Sequence, residues 1–349
     1  MNVQNDSLEA SSGLGPRILL DGHGGDRAPS VVFDALELLL ATAEGDDLQL
    51  GVVGTDAVAE AMQARGLAER IVHVPARDVI EMCDAPAVVV RRKKQSSMHV
   101  GARLLRDGAW DAFVSAGNTG ALMAISKLIL KTLNGIDRPA IASMIPTRSG
   151  GKTLFLDVGA NVDCTSDHLL QFALMGHAYM QAAEGIEKPR VGLLNIGSED
   201  IKGTDVIKVA AAAMESLPIA FVGNVEGTDL FSGEVDVVVC DGFVGNVALK
   251  TMEGTARFLA DGLKQALLSG TRARMGAMLA QPALRAFREQ FNPGRYNGAP
   301  LLGLNGIVVK SHGSADAEGL ANALRVAVRE VRAGLLSRIN VLLSEWNEA

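Results

Sequence analysis

Aromatic side chains make up only 4% of the 349 residues, with two tryptophans and two tyrosines. Single-stranded nucleic acids are held by stacking bases on such rings, so a platform of that kind is excluded. Positive charge is also short. Against 40 Asp and Glu stand 33 Lys and Arg, a net charge of −7, and no DNA or RNA partner is expected. Cysteine is scarce and scattered at Cys83, Cys164 and Cys240, which excludes a disulfide framework or a zinc cage and suits a reducing cytoplasm. No run approaches the roughly 20 apolar residues that cross a bilayer, so any membrane contact is expected to be peripheral. Residues 1–15 are small and polar, with neither a basic start nor an apolar core. They read as a flexible extension ahead of one α/β domain over 16–349, whose division into two lobes the pattern leaves open.

Familiar catalytic signatures are missing too. There is no strict G-x-G-x-x-G, no H-E-x-x-H and no G-x-S-x-G, and the six histidines show no metal-ligand spacing, so neither metal nor dinucleotide is expected. The segment Arg148-Ser149-Gly150-Gly151-Lys152-Thr153 ends like a phosphate-binding P-loop, but its first glycine would fall at Pro146 and a strand follows it. It reads as a turn. His168 and His177 fall on a predicted helix and read as ordinary core or surface histidines.

What remains is a regular alternation. Apolar runs at 18–21, 48–53, 71–74, 112–115, 140–145, 153–158, 191–196, 219–222, 235–240 and 306–310 alternate with helical patterns at 29–43, 96–106, 120–132, 167–183, 205–215 and 245–268. Strands apolar on both faces and joined by crossover helices predict a doubly wound, largely parallel sheet covered by helices on both sides. One last helix is expected from 315 to about 344. Between 259 and 291 no strand signal occurs. Apolar residues such as Leu268, Met275, Met278 and Phe287 accompany Arg272, Arg274, Arg285 and Arg288, with Gly270 and Pro282 as breaks. This predicts a helical hairpin. A basic amphipathic pair suits an anionic membrane surface or a partner subunit, and equally a core helix with a solvated basic face.

Ligands of open α/β sheets bind where strand ends lead into helix N-termini. Four loops there combine glycine with small polar or basic residues: 115–120 with Gly117, Asn118, Thr119 and Gly120; 197–203 with Lys202; 241–246 with Asp241, Gly242, Gly245 and Asn246; and 310–314 with His312 and Ser314. Glycines let backbone N–H groups crowd an anion, and a helix end adds partial positive charge. Together the loops predict an anion-binding crevice. The basic run Arg91-Arg92-Lys93-Lys94 reads as a solvated face or as a surface that steers an acidic partner.

The carrying segments are 21–26, 90–98, 115–122, 156–163, 194–197, 310–314 and above all Val239-Cys240-Asp241-Gly242-Phe243-Val244-Gly245-Asn246-Val247-Ala248-Leu249-Lys250. In these the sequence closely resembles the bacterial phosphate acyltransferase (PlsX) family, from about residue 18 to the final helix. Gly22-His23 departs from the Ala-Met usual there, which is expected to alter packing more than the reaction. The resemblance implies the fold of the phosphotransacetylases and of the isocitrate and isopropylmalate dehydrogenases. It further implies transfer of a long-chain fatty acyl group from acyl carrier protein to inorganic phosphate, giving an acyl phosphate for phospholipid synthesis. No cofactor of the enzyme's own is implied, since the phosphopantetheine arm belongs to the carrier protein. The resemblance similarly implies a homodimer, cytoplasmic and peripherally attached to the inner face of the membrane. It makes Lys202 and Asn246 the leading catalytic pair, the other loop residues named above phosphate or substrate groups, and Arg91, Arg92, Lys93, Lys94, Arg272 and Arg274 candidate carrier-protein contacts. Read as ordinary residues, Lys202 would pair with Glu199 or Asp200, and Asn246 would cap a helix. The alternatives are a phosphotransacetylase using small coenzyme A thioesters, an NAD-dependent dehydrogenase of the same fold, and a non-enzymatic scaffold at a membrane.

Overall fold

The computed structural model describes residues 15–290 and 292–348. Nearly all of the expected N-terminal extension, and Phe291 at the end of the expected hairpin, therefore lie outside the described residues. Eleven strands run in chain order: β1 Arg17–Asp21, β2 Gln49–Gly54, β3 Ile71–Pro75, β4 Ala112–Ser115, β5 Ala140–Pro146, β6 Lys152–Leu156, β7 Arg190–Leu194, β8 Ala220–Val225, β9 Val237–Val239, β10 Ala299–Leu302 and β11 Ile307–Lys310. They fall in two compact units. One holds the described residues up to Pro139, Gln181–Gly185 and those from Asn297 onward; the other holds Ala140–Met180 and Ile186–Tyr296.

In the first unit the strand order is β3-β2-β1-β4-β11-β10, parallel except for β10 against β11. Its central strands β1, β2, β4 and β11 are almost wholly buried because both faces are covered, whereas the edge strand β3 leaves Val72 56% exposed. Ala112 and Val114 of β4 join Val32, Leu36, Leu324 and Ala327 in one core beneath the helices Ser30–Leu40 and Ala317–Arg332. Phe113 points the other way, where the helix Ser97–Arg106 comes so near that a β-carbon on Gly101 would lie 2.5 Å from its ring. Strand β10 gave no sequence signal. It has four residues, one of them proline, and exists through its pairing with β11.

The second unit orders its strands β5-β6-β9-β7-β8, all parallel except β5 against β6. The P-loop look-alike is the tight turn of that β5–β6 hairpin, with Thr147 and Gly151 hydrogen-bonded across it. The helix Ser166–Ala183 is buried from His168 to Met180, and burial pushes the pKa of the His177 ring down. A β-carbon at Gly176 would lie 2.6 Å from Val237, so glycine is what lets this helix lie on β9.

Two expectations need correction. The final helix is not continuous: it forms Ala317–Arg332 and Leu335–Glu348, divided at Gly334, whose φ of 61° is the left-handed conformation that ends a helix. The segment around 259–291 is not a core helix with a solvated basic face. A long helix, Gly242–Leu268, buries only Gly242 and Gly245, and no residue of the next helix, Thr271–Leu279, is buried; Gln281–Gln290 follows. Phe258, Met275, Met278 and Leu279 are 65–85% exposed. Among the described residues no helix is long and apolar enough to cross a membrane.

Phe155, on β6, is fully buried. Phe155→Ala is expected to cost roughly 3–5 kcal/mol, seen as a fall in the thermal unfolding midpoint; an unchanged midpoint contradicts this placement.

Candidate active site

In the second unit β6, β9 and β7 are parallel neighbours, so the loops after them leave the sheet at one edge. The centre of this edge is a buried carboxylate. Asp157 accepts from the backbone N–H of Ile141 (3.1 Å), Gly159 (3.2 Å), Ala160 (3.0 Å) and Asn161 (2.8 Å), and from the Asn161 side chain (2.9 Å). Burial raises its pKa, and these donors pull against that rise. The N–H groups of Gly159, Ala160 and Asn161 are therefore committed to the protein's own carboxylate, and those of Asp157 and Val158 to the carbonyls of Cys240 and Ile141.

Against this loop sits the start of the helix Gly242–Leu268. Asp241 is its N-cap, accepting from Phe243 N (3.0 Å) and Val244 N (2.9 Å). Gly242 N donates to the Asn161 carbonyl at 2.7 Å. A β-carbon on Gly242 would lie 2.8 Å from Asn161 backbone atoms, and one on Gly245 would overlap the Asp157 carbonyl oxygen. Both glycines are demanded by close approach. Asn246 is thus not the cap. Its exposed side chain stands beside Gly159, whose added β-carbon would lie 3.5 Å from the Asn246 Oδ1. Cys240 beneath is buried and near Asp157, and burial first, then that negative charge, pushes its thiol well up, which disqualifies it as a nucleophile.

The loop after β7 is shaped by a residue the sequence reading passed over. Asn195 accepts from Ile196 N (2.8 Å) and donates to the Lys202 carbonyl (3.2 Å), while Gly203 turns the chain at φ 86°. Lys202 is exposed and forms no ion pair with Glu199 or Asp200. Lys202 and Asn246 thus leave adjacent strands at the same edge, each with an uncommitted polar end.

The first unit repeats the device. The loops after β1, β4 and β11, which are parallel neighbours, gather around buried Asp21. Asp21 accepts from the Ser115 hydroxyl (2.7 Å) and His23 N (3.0 Å), Ser115 Oγ accepts from Gly117 N (3.1 Å), and Asp26 N donates to Gly313 O (2.8 Å). His23 accepts from Thr55 N at 3.1 Å, which ties the loops after β1 and β2 together. Asn118 caps the helix Thr119–Leu130 through Ala121 N (3.0 Å) and donates to the carbonyls of Met82 and Asp84 (2.9 Å each). Its side chain is committed, while Thr119 and Gly120 at the same helix start are exposed. Ser314 N donates to His312 Nδ1 (3.2 Å), and its hydroxyl lies 2.9 Å from that nitrogen. Asn297, which nothing in the sequence marks, accepts from His312 N (3.0 Å) and donates to Ser311 Oγ and Gly319 O (2.7 Å each).

The four expected loops thus divide. Gly117–Gly120 and His312–Ser314 lie in the first unit, Lys202 and Asp241–Asn246 in the second, and each pair emerges from neighbouring strand ends. Of the basic run, Lys93 is held by Asp84 (2.5 Å) and the Val79 carbonyl (2.7 Å), while Arg91, Arg92 and Lys94 are exposed. Arg272 and Arg274 lie on the exposed helix Thr271–Leu279, where Arg274 Nε donates to the Leu268 carbonyl at 3.2 Å. Among the described residues no group of three His, Cys, Asp or Glu could hold a metal ion.

The fold is that seen in phosphotransacetylases and in dehydrogenase-like proteins. A phosphotransacetylase from Streptococcus pyogenes superposes with a TM-score of 0.61 at 17% identity, covering 91% of this chain and 95% of that one. A putative 4-hydroxythreonine-4-phosphate dehydrogenase from Salmonella typhimurium gives 0.54 at 14% identity, over 90% and 99%. The family model described as "Fatty acid synthesis protein" matches residues 16–338. Proteins named phosphate acyltransferase from Magnetococcus marinus and Alkalilimnicola ehrlichii are each 50% identical, covering 95% and 91% of this chain and 96% and 93% of their own. The chain belongs to the phosphate acyltransferase (PlsX) family.

Gly245→Ala is expected to remove most activity and lower thermal stability, because the added carbon has no room beside Asp157. Gly262→Ala, on the same helix with nothing within 4 Å, serves as the control and should be neutral or stabilising by about 0.5–1 kcal/mol. Equal behaviour of the two variants contradicts the close approach.

Proposed function

We propose that this protein transfers a long-chain fatty acyl group from acyl carrier protein to inorganic phosphate, yielding an acyl phosphate for phospholipid synthesis. Acyl transfer to phosphate is what the family name describes. The observation that carries the site assignment is the emergence of Lys202 and Asn246 from adjacent strand ends with unpartnered polar groups, where neighbouring polar atoms are committed. A phosphate oxygen attacks the thioester carbonyl carbon, the tetrahedral oxyanion collapses, and the carbon–sulfur bond breaks to release the thiolate. No protein nucleophile is required. Lys202 offsets negative charge on phosphate and on the departing sulfur, and Asn246 donates to the oxyanion; positioning and preorganised donors suffice for such a reaction. Thr119, Gly120, His312 and Ser314 are assigned to phosphate or substrate, with Gly117, Asn118, Asp241, Gly242 and Gly245 shaping the loops. The enzyme needs no cofactor of its own.

The exposed apolar helices after Leu259 support peripheral attachment to the cytoplasmic face of the membrane, and their unburied length suits a homodimer as well. Arg272 and Arg274 are suited there to anionic headgroups or to acidic carrier protein. The second reading is a phosphotransacetylase acting on small coenzyme A thioesters, favoured by the shared fold. A water-soluble short acyl group gives no reason for that apolar surface.

Incubating the protein with long-chain acyl carrier protein and labelled phosphate should give labelled acyl phosphate; a strong preference for acetyl coenzyme A refutes this reading. Lys202→Ala and Asn246→Ala are each expected to cut the maximal rate by about 100-fold or more while leaving the melting temperature unchanged. Near-normal rates would remove these residues from the chemistry.

A further inference from the structure

In the first unit the helices Pro86–Arg92 and Thr119–Leu130 lie side by side, and a shallow groove runs between them. Val90, Ala124 and Leu128 form its floor, and Arg91 and Lys127 stand at its rim. Leu128 is 49% exposed, so the fold of this chain leaves about half of this side chain uncovered. The rim carries one sign of charge. Arg91, Arg92 and Lys94 make no ion pair among the described residues, and the Lys127 ammonium reaches only the Asp137 carbonyl, at 3.4 Å. On the helix Ala317–Arg332 of the same unit the arginines are paired: Arg325 meets Glu44, Arg329 meets Glu184 and Arg332 meets Asp47. The groove, by contrast, is flanked by cations that no carboxylate of the described residues neutralises.

The position of the groove matters as much as its chemistry. At its Pro86 end a β-carbon on Gly120 would lie 2.8 Å from the Pro86 ring, so the groove runs up to the exposed start of Thr119–Leu130, among the loops assigned to substrate.

We propose that this groove docks an acidic amphipathic helix of the carrier protein that brings the acyl thioester, an inference that rests on the function proposed above. The apolar stripe of such a helix covers Val90, Ala124 and Leu128, and its carboxylates meet Arg91, Arg92 and Lys127. Seated there, the carrier points its prosthetic arm along the groove towards Gly120. Lys93 takes no part, being held by Asp84. A bilayer is the less suitable occupant, because a flat surface meets the charged rims before the apolar floor.

The test is steady-state kinetics of the full-length protein with acyl carrier protein thioester and phosphate, in wild type, Arg91→Glu/Lys127→Glu and Leu128→Asn. All three altered side chains are exposed, and equal melting temperatures establish that the variants fold. The charge reversal should raise the KM for the carrier thioester about tenfold or more and reduce the weakening by salt expected of wild type, with the KM for phosphate unchanged; Leu128→Asn should raise the carrier KM less. Binding to vesicles of phosphatidylglycerol and phosphatidylcholine is measured in parallel and should not change. An unaltered carrier KM in folded variants overturns the docking site while the proposed function stands. Loss of vesicle binding without a change in carrier KM reassigns the groove to lipid. A wild-type protein inactive on the carrier thioester sinks the underlying function itself.

Discussion

The carboxyl edge of each unit is organised by one buried aspartate at the end of a parallel strand. Asp157 draws four backbone N–H groups and one side-chain amide to itself, and the loop so fixed is the surface on which Gly242 and Gly245 lie. An ionised carboxylate out of water is tolerable only when its oxygens are fully hydrogen-bonded, so the loop has little freedom to adopt another shape. Asn246 inherits its position from that constraint. Asp21 plays the corresponding part in the first unit, joining Ser115 and the turn at His23.

This arrangement separates two kinds of polar residue that look alike as letters. Asn118, Asn161, Asn195 and Asn297 are committed to caps, carbonyls and loop N–H groups. Lys202 and Asn246 are not, and they stand at an exposed edge. An anion-binding site needs donors that are oriented yet unoccupied, and in the second unit Asn161 and Asn195 fix the loops from which such donors project. The same distinction holds on the surface, where paired arginines on Ala317–Arg332 contrast with unpaired ones beside the groove at Val90.

The helices from Gly242 to Gln290 grow out of the candidate site without a break in chain direction until Gly270. Their first turn is fixed against Asp157 and their far end exposes Met275, Met278 and Leu279. This run of helices therefore links a glycine-packed edge to apolar side chains that the described residues leave uncovered.

Local pattern carried much of this. Alternating apolar runs and amphipathic segments determined the doubly wound parallel fold, since a strand covered on both faces must be apolar throughout, and glycine-rich turns at strand ends marked the loops that gather at the carboxyl edge of each unit. Family motifs pointed to Lys202 and Asn246. Strand β10, the break at Gly334, the roles of Asn195 and Asn297 and the commitment of Asn118 were not legible, nor was the reason for glycine at 245. Three depend on partners farther along the chain: Asp157 for Gly245, Ser311 and Gly319 for Asn297, Met82 and Asp84 for Asn118; Asn195 and β10 take nearer partners, Lys202 and β11, that no local pattern announces, and Gly334 is a matter of positive φ hidden inside a continuous apolar period. Sequence determined which residues could donate, and the tertiary structure decided which donors were left open, because a hydrogen bond made to a remote carbonyl removes a donor that its neighbours in the chain cannot reveal.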